Sequence, residues 1–188
     1  MRKIVICLFL FSLVCIRSEA QQSVPVIKAG TRIDYKYSLY GQSSVIGVTV
    51  KSVTDSIELE WNMRGYAFGS YLISGTGFEN GTKINFIQPA PQTVLRLAPD
   101  ETFAVISKAA FKALKKDKKF VYNNTTYVLK DDNKDKPFKS GDQELDVLHV
   151  TGLEEAGDMW ILNNPGFPLI CQFKNNPLGI NFTVTAIK

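Results

Sequence analysis

The sequence predicts a mainly β fold, a curved antiparallel sheet of half-barrel or barrel-like form with one short helix. Three observations predict it. Apolar residues alternate with polar ones through much of the chain, turn-forming residues punctuate these runs at short intervals, and only one stretch shows helical spacing.

The alternation is clearest in residues 32 to 40, where Ile33, Tyr35, Tyr37 and Leu39 fall on one face and Arg32, Asp34, Lys36 and Ser38 on the other. Gly41-Gln42-Ser43-Ser44 reads as a turn into a second strand carrying Ile46, Val48 and Val50. Thr54-Asp55 turns the chain into a third, with Ile57, Leu59, Trp61 and Met63 on one face. Residues 32 to 63 are therefore expected to form a three-stranded antiparallel meander. Residues 66 to 73 are apolar on both faces around Gly69, and the glycines at 75, 77 and 81 mark a loop or tight crossing rather than a helix. Residues 83 to 88 and 92 to 97 read as short strands flanking Pro89 and Pro91, which place the connection at a sheet edge or a bend.

The helix follows. Ser107 is positioned to cap residues 108 to 116, where Ala110, Phe111 and Leu114 share a face. Lys112, Lys115, Lys116, Lys118 and Lys119 crowd its end, as cations solvated beside the negative end of a helix dipole. Residues 120 to 122 and 125 to 129 form a hairpin pattern about Asn123-Asn124, because Asn tolerates the positive φ of a two-residue turn. A charged loop over residues 131 to 141 precedes closing strands at 144 to 151, 158 to 162, 167 to 173 and 180 to 187. About ten strands and one helix result, and no linker or repeat divides them.

The N-terminus reads as an export signal. Arg2 and Lys3 precede an apolar run over residues 4 to 16, and Ser18-Glu19-Ala20 offers small residues where a signal peptidase cuts. The run is shorter than the roughly 20 residues a membrane span requires. Residues 1 to 20 are thus expected to be a cleaved signal peptide and residues 21 to 188 a single β-rich domain, exported to the periplasm or beyond with no transmembrane segment. Cys15 raises lipidation as an alternative, but Val14 is bulkier than the residue usual before a lipidated cysteine. Of 22 Lys and Arg, Arg2, Lys3 and Arg17 leave with the signal, and of 18 Asp and Glu only Glu19 does, so 19 cations face 17 anions. That near-balance implies neither an acidic partner nor nucleic acid. Cys171 is then the sole cysteine; it lies in an apolar run, which predicts a buried, inert thiol.

No catalytic or metal signature stands out. His149, the single histidine, shares a strand face with Leu145 and Val147 and is expected at the rim of the core. No Gly-x-Ser-x-Gly occurs, and one His with one Cys falls short of the ligands that zinc needs. Asp131, Asn133 and Asp135 have the spacing that opens a calcium loop, but Lys136 stands where the loop requires Gly and Asp142 where it requires Glu. Glu154-Glu155 reads as a solvated turn, and the Asn-x-Ser/Thr sequons at Asn80, Asn123, Asn124 and Asn181 matter only in a secretory pathway that glycosylates. No cofactor is implied.

The tail is the most distinctive part: Met159-Trp160-Ile161-Leu162, then Pro165-Gly166-Phe167-Pro168-Leu169-Ile170, then a last strand with Phe182, Val184 and Ala186. Residues 143 to 187 resemble, at the level of pattern, exported bacterial proteins of unknown function whose sheet is curved like that of periplasmic lipoprotein carriers. The resemblance implies a bent antiparallel sheet wrapped around a helix or a greasy cavity. It matches no proven functional position. The function expected is a binding or carrier module for an apolar, lipid-like ligand, with Trp61, Phe68, Phe86 and Trp160 as cavity-lining candidates and the concavity placed between the sheet and the helix at 107 to 116. The alternatives are an extracytoplasmic hydrolase and an interaction or structural domain of an envelope assembly.

Overall fold

The computed structural model describes residues 22–63, 65–131 and 137–188. The expected signal peptide with Cys15 lies outside the described residues, as do Asn133 and Asp135 of the calcium-like stretch. In chain order the strands are β1 (Arg32–Leu39), β2 (Gln42–Val53), β3 (Ser56–Met63) and β4 (Ala67–Ser74), followed by helix α1 (Gly75–Asn80). Next come β5 (Lys83–Ile84), β6 (Val94–Arg96), β7 (Glu101–Thr102) and helix α2 (Lys108–Asp117). The remainder is β8 (Lys119–Tyr122), β9 (Thr125–Leu129), β10 (Phe138–Ser140), β11 (Gln143–Leu145), β12 (Val147–Gly152), β13 (Asp158–Leu162), β14 (Ile170–Lys174) and β15 (Ile180–Ile187).

Eleven strands form one sheet in the order β6-β4-β3-β2-β1-β15-β14-β13-β12-β9-β8. The fold is mainly β, and the sheet is open, with β6 and β8 as its edges. The expected meander is present as β1-β2-β3, and the last strand, β15, pairs with the first. One expectation needs amending: β6 runs parallel to β4, so the sheet is mixed at that edge. Register shifts at Asp34/Tyr35, Val50/Ser52 and Trp160/Ile161 insert bulges, and bulges bend a sheet and sharpen its twist.

Strand alternation concentrates the apolar residues on one face, because residues directly opposed across a ladder point the same way. Tyr35 opposes Ile46 and Val184, Val48 opposes Trp61, Leu59 opposes Tyr71, and Phe173 opposes both Phe182 and Met159. Two buried clusters result. The first gathers Val48, Leu59, Trp61 and Ile73 with Val105 and Leu169. The second packs Phe111 and Leu114 of α2 against Phe120, Tyr127, Val150 and Met159, and Phe182 touches both. Trp61 is fully buried opposite Gly69, where a Cβ would sit 2.8 Å from the indole Nε1 and 3.1 Å from the carbonyls of Ala90 and Thr93. Only glycine fits there.

Three local expectations are corrected. The first concerns residues 75 to 80, which form a helix instead of a loop: Ser74 Oγ caps it, accepting from Gly77 N at 3.1 Å. The glycines that lower its helix propensity serve packing, since a Cβ at Gly77 would meet the Glu101 carbonyl at 2.7 Å. The second concerns the β1–β2 turn, which is Tyr40-Gly41, both at positive φ (47° and 83°), so that Gln42 to Ser44 belong to the strand. The third is the β-strand tally, because residues 144 to 151 divide into β11 and β12 and the short pairs β5–β7 and β10–β11 stand outside the main sheet. The α2 cap is as expected, with Ser107 Oγ accepting from Ala110 N at 3.2 Å, and Asn123-Asn124 turns the β8–β9 hairpin at φ 49° and 64°.

Candidate functional site

The inner face of β1 to β4 and β15 is not wholly covered by protein. A cavity of about 210 Å³ remains between it and a covering layer made by residues 84 to 88 and 103 to 104. The cover is built from local pairing: β5 lies parallel to β7, Asn85 N donates to the Thr102 carbonyl at 2.8 Å, and the Asn85 amide donates to Glu101 Oε2 at 3.0 Å. With Asn85 so held, Ile84, Phe86 and Gln88 all line the cavity, at alternate positions of an extended segment. Asn123 Oδ1 accepts from Ile84 N at 2.9 Å and ties this cover to the β8–β9 turn.

The sheet side of the cavity is Tyr35, Tyr37 and Leu39 of β1, Ile46 and Val48 of β2, Met63, Tyr71, and Ile180 and Phe182 of β15. Exposure grades along these elements. Tyr35 is buried, Tyr37 half-buried and Leu39 exposed; Val48 is buried and Ile46 half-buried; Ile84 is buried, Phe86 half-buried and Gln88 exposed. The cavity therefore opens at the end of the sheet where β1 finishes and β15 begins. Tyr71 stacks on Phe103 deep in the cavity, with centroids 3.6 Å apart and planes at 11°. Burial pushes both the Tyr35 and Tyr71 hydroxyls well above the ordinary tyrosine range, Cys171 adding to the effect at Tyr35. The Tyr35 hydroxyl is buried and has no hydrogen-bond partner among the described residues, while its ring lines the cavity.

Of the four residues singled out in the sequence, Phe86 lines this cavity and the other three do not. Trp61 is packed in the first core cluster and Phe68 is exposed beside the β3–β4 turn. Trp160 opposes His149 across β12–β13 and stacks on it with centroids 4.1 Å apart and planes at 7°. That pair falls on the sheet face opposite Val150 and Met159, with Lys174 Nζ 5.1 Å above the indole and His149 Nε2 3.2 Å from Asp158 Oδ1. The space expected between the sheet and α2 is filled by Ala110, Phe111 and Leu114 themselves. Cys171 is buried, and burial pushes its thiol up to about 12, which leaves it protonated and unreactive at neutral pH.

The missed lining residues were visible in the sequence as the inner face of the meander. Their role was not, because it depends on β15 pairing with β1 and on where residues 84 to 88 lie. A second depression of about 390 Å³ mixes Val26, Ile27, Phe78 and Phe167 with the Glu79–Lys108 ion pair. An apolar occupant there would have to desolvate a charged pair, so the smaller cavity, lined by aliphatic and aromatic side chains with the Gln88 amide at its mouth, is the better candidate. Among the described residues no three His, Cys, Asp or Glu side chains cluster as a metal centre would need. Comparison with family models, curated proteins and solved structures finds no match for this chain.

Proposed function

We propose that this protein binds a slender apolar molecule, a single hydrocarbon chain or one ring system, in the cavity between β1–β4, β15 and the segment at 84 to 88. The observation that carries the reading is the lining itself: aliphatic and aromatic side chains throughout, with Gln88 as the one amide, at the mouth. The resemblance of residues 143 to 187 to exported proteins with a bent sheet supports the same reading.

Size decides the ligand class. An apolar cavity of about 150 Å³ accommodates benzene, so a cavity of about 210 Å³ takes on the order of eight carbon atoms. A diacyl lipid does not fit inside. Eight methylene groups at about 0.8 kcal/mol each contribute about 6 kcal/mol before the cost of association, which sets a dissociation constant of about 40 µM at the tightest and places the expected value between there and about 1 mM. The chain's polar end is expected at the mouth beside Gln88. Hydrolysis is not favoured by any observation, because among the described lining residues the ionisable groups are tyrosines and no nucleophile faces a base.

The test is a cavity-filling substitution. Ile46→Phe adds volume at a half-buried lining position, so it should retain or raise stability while weakening decanol binding at least tenfold by calorimetric titration. Unchanged affinity in a folded variant would place the binding site elsewhere and refute the reading.

A further inference from the structure

The mouth of the cavity carries exposed apolar side chains on every element that borders it. Leu39 and Tyr40 occupy the end of β1 and its turn, Leu178 the β14–β15 turn, Tyr66 the β3–β4 turn and Ile87 the covering segment; their exposures run from 41% for Leu39 to 90% for Tyr66. Leu39 pairs with Ile180, and the Tyr40 ring lies against Gly179, so Leu39, Tyr40 and Leu178 form one tip.

Two further features mark this tip as a contact surface. Tyr40 sits at φ 47° in the first central position of a two-residue hairpin turn, where Asn is the favoured residue and a bulky side chain is strained, and yet it presents its ring 83% exposed. The segments around the mouth, at 39–45, 65–68, 86–93 and 174–182, contain no Asp or Glu of their own; Arg64 precedes the second of them in sequence, and Lys174 in the last is faced across the ladder by Asp158.

We propose that this end of the sheet seats on a lipid bilayer surface, Tyr40 and Tyr66 in the headgroup layer and Leu39, Leu178 and Ile87 reaching the acyl boundary, so that a single chain passes between the bilayer and the cavity. Tyrosine suits such an interface because its ring is apolar and its hydroxyl is wet. The carboxylate nearest the tip, Asp158, accepts from Asn175 Nδ2 at 3.1 Å and stands opposite Lys174 across β13–β14, so the two charges offset and leave no net negative charge there for anionic headgroups to repel. The inference goes beyond the cavity reading and is tested separately from it.

The experiment is flotation of the protein, as recovered from cells with its N-terminus defined by mass spectrometry, on vesicles of phosphatidylcholine containing phosphatidylglycerol. The variant Tyr40→Asn with Leu178→Ser is compared with Val53→Ser with Val121→Ser, which removes exposed apolar residues away from the mouth. Asn relieves the turn, so the first variant is expected to fold with an undiminished urea midpoint. The wild type and the Val53/Val121 variant are expected to float, and the Tyr40/Leu178 variant to bind at least tenfold less. A wild type that stays with the soluble fraction, equal loss in both variants, or a Tyr40-dependent dimer that ignores vesicles would overturn the proposal. A protein that takes up decanol but ignores vesicles refutes this surface and leaves the cavity reading intact; one that floats but does not take up decanol does the reverse.

Discussion

Two buried tyrosines hold their hydroxyls in opposite circumstances. Tyr122 accepts from Ser107 N at 2.8 Å and lies 3.3 Å from Thr102 Oγ1, whereas the Tyr35 hydroxyl has no partner among the described residues. A buried hydroxyl without a partner bears the desolvation cost and recovers nothing, about 1–3 kcal/mol. Tyr35→Phe is therefore expected to stabilise the protein by about 1 kcal/mol in urea unfolding and, because the ring remains in the cavity wall, to leave decanol affinity unchanged. A loss of stability would show that the hydroxyl is bonded after all.

At the level of elements, Tyr122 ties the start of α2 to β8, since the buried Ser107 N has its hydrogen bond there. Tyr122→Phe orphans that donor, and the expected result is a destabilisation of about 1–3 kcal/mol, opposite in sign to Tyr35→Phe, by the same urea measurement. The elements most legible in the sequence were those with a strong local signal. The alternation of Ile33 to Leu39 and of Ile57 to Met63, the Ser107 cap, and the Asn123-Asn124 turn each record a local constraint, and each element formed as read. Helix α1 was illegible because its glycines serve a tertiary contact with the β7 backbone, which overrides their low propensity. The Tyr40-Gly41 turn was misplaced by two residues because Tyr is an unfavourable occupant of its position. The candidate site was legible only through Phe86. Trp61 and Trp160 drew notice as large aromatics, yet size alone does not separate a core residue from a cavity wall, and the wall is set by which distant strands become neighbours.

At the scale of the molecule, burial links the fold to pH. Burial raises the Tyr35, Tyr71 and Tyr122 hydroxyls from 10.0, pushes Tyr127 up to about 12, and pushes Cys171 from 9.0 to about 12. For these acids the unfolded chain releases its protons first as pH rises, so above about pH 9 the native state binds more protons and stability falls with pH. The contribution is intact below the unfolded values and is lost as pH climbs toward the folded ones. The urea midpoint is expected to be level near neutrality and to fall steeply from about pH 9 to 11, with tyrosinate absorbance from these residues appearing only on unfolding. Tyrosinate signal from them in a folded protein would contradict the burial described.

The same burial that seals Tyr35 and Tyr71 leaves a greasy space in front of their rings, and its occupancy is the central claim. Methyl NMR during titration with decanol tests it most directly. Saturable shifts at Ile46, Val48, Met63, Ile84 and Ile180, with Leu114, Val150 and Met159 of the second cluster unmoved, are the predicted result. No saturable shift at the first set, or equal shifts at both sets, would contradict it.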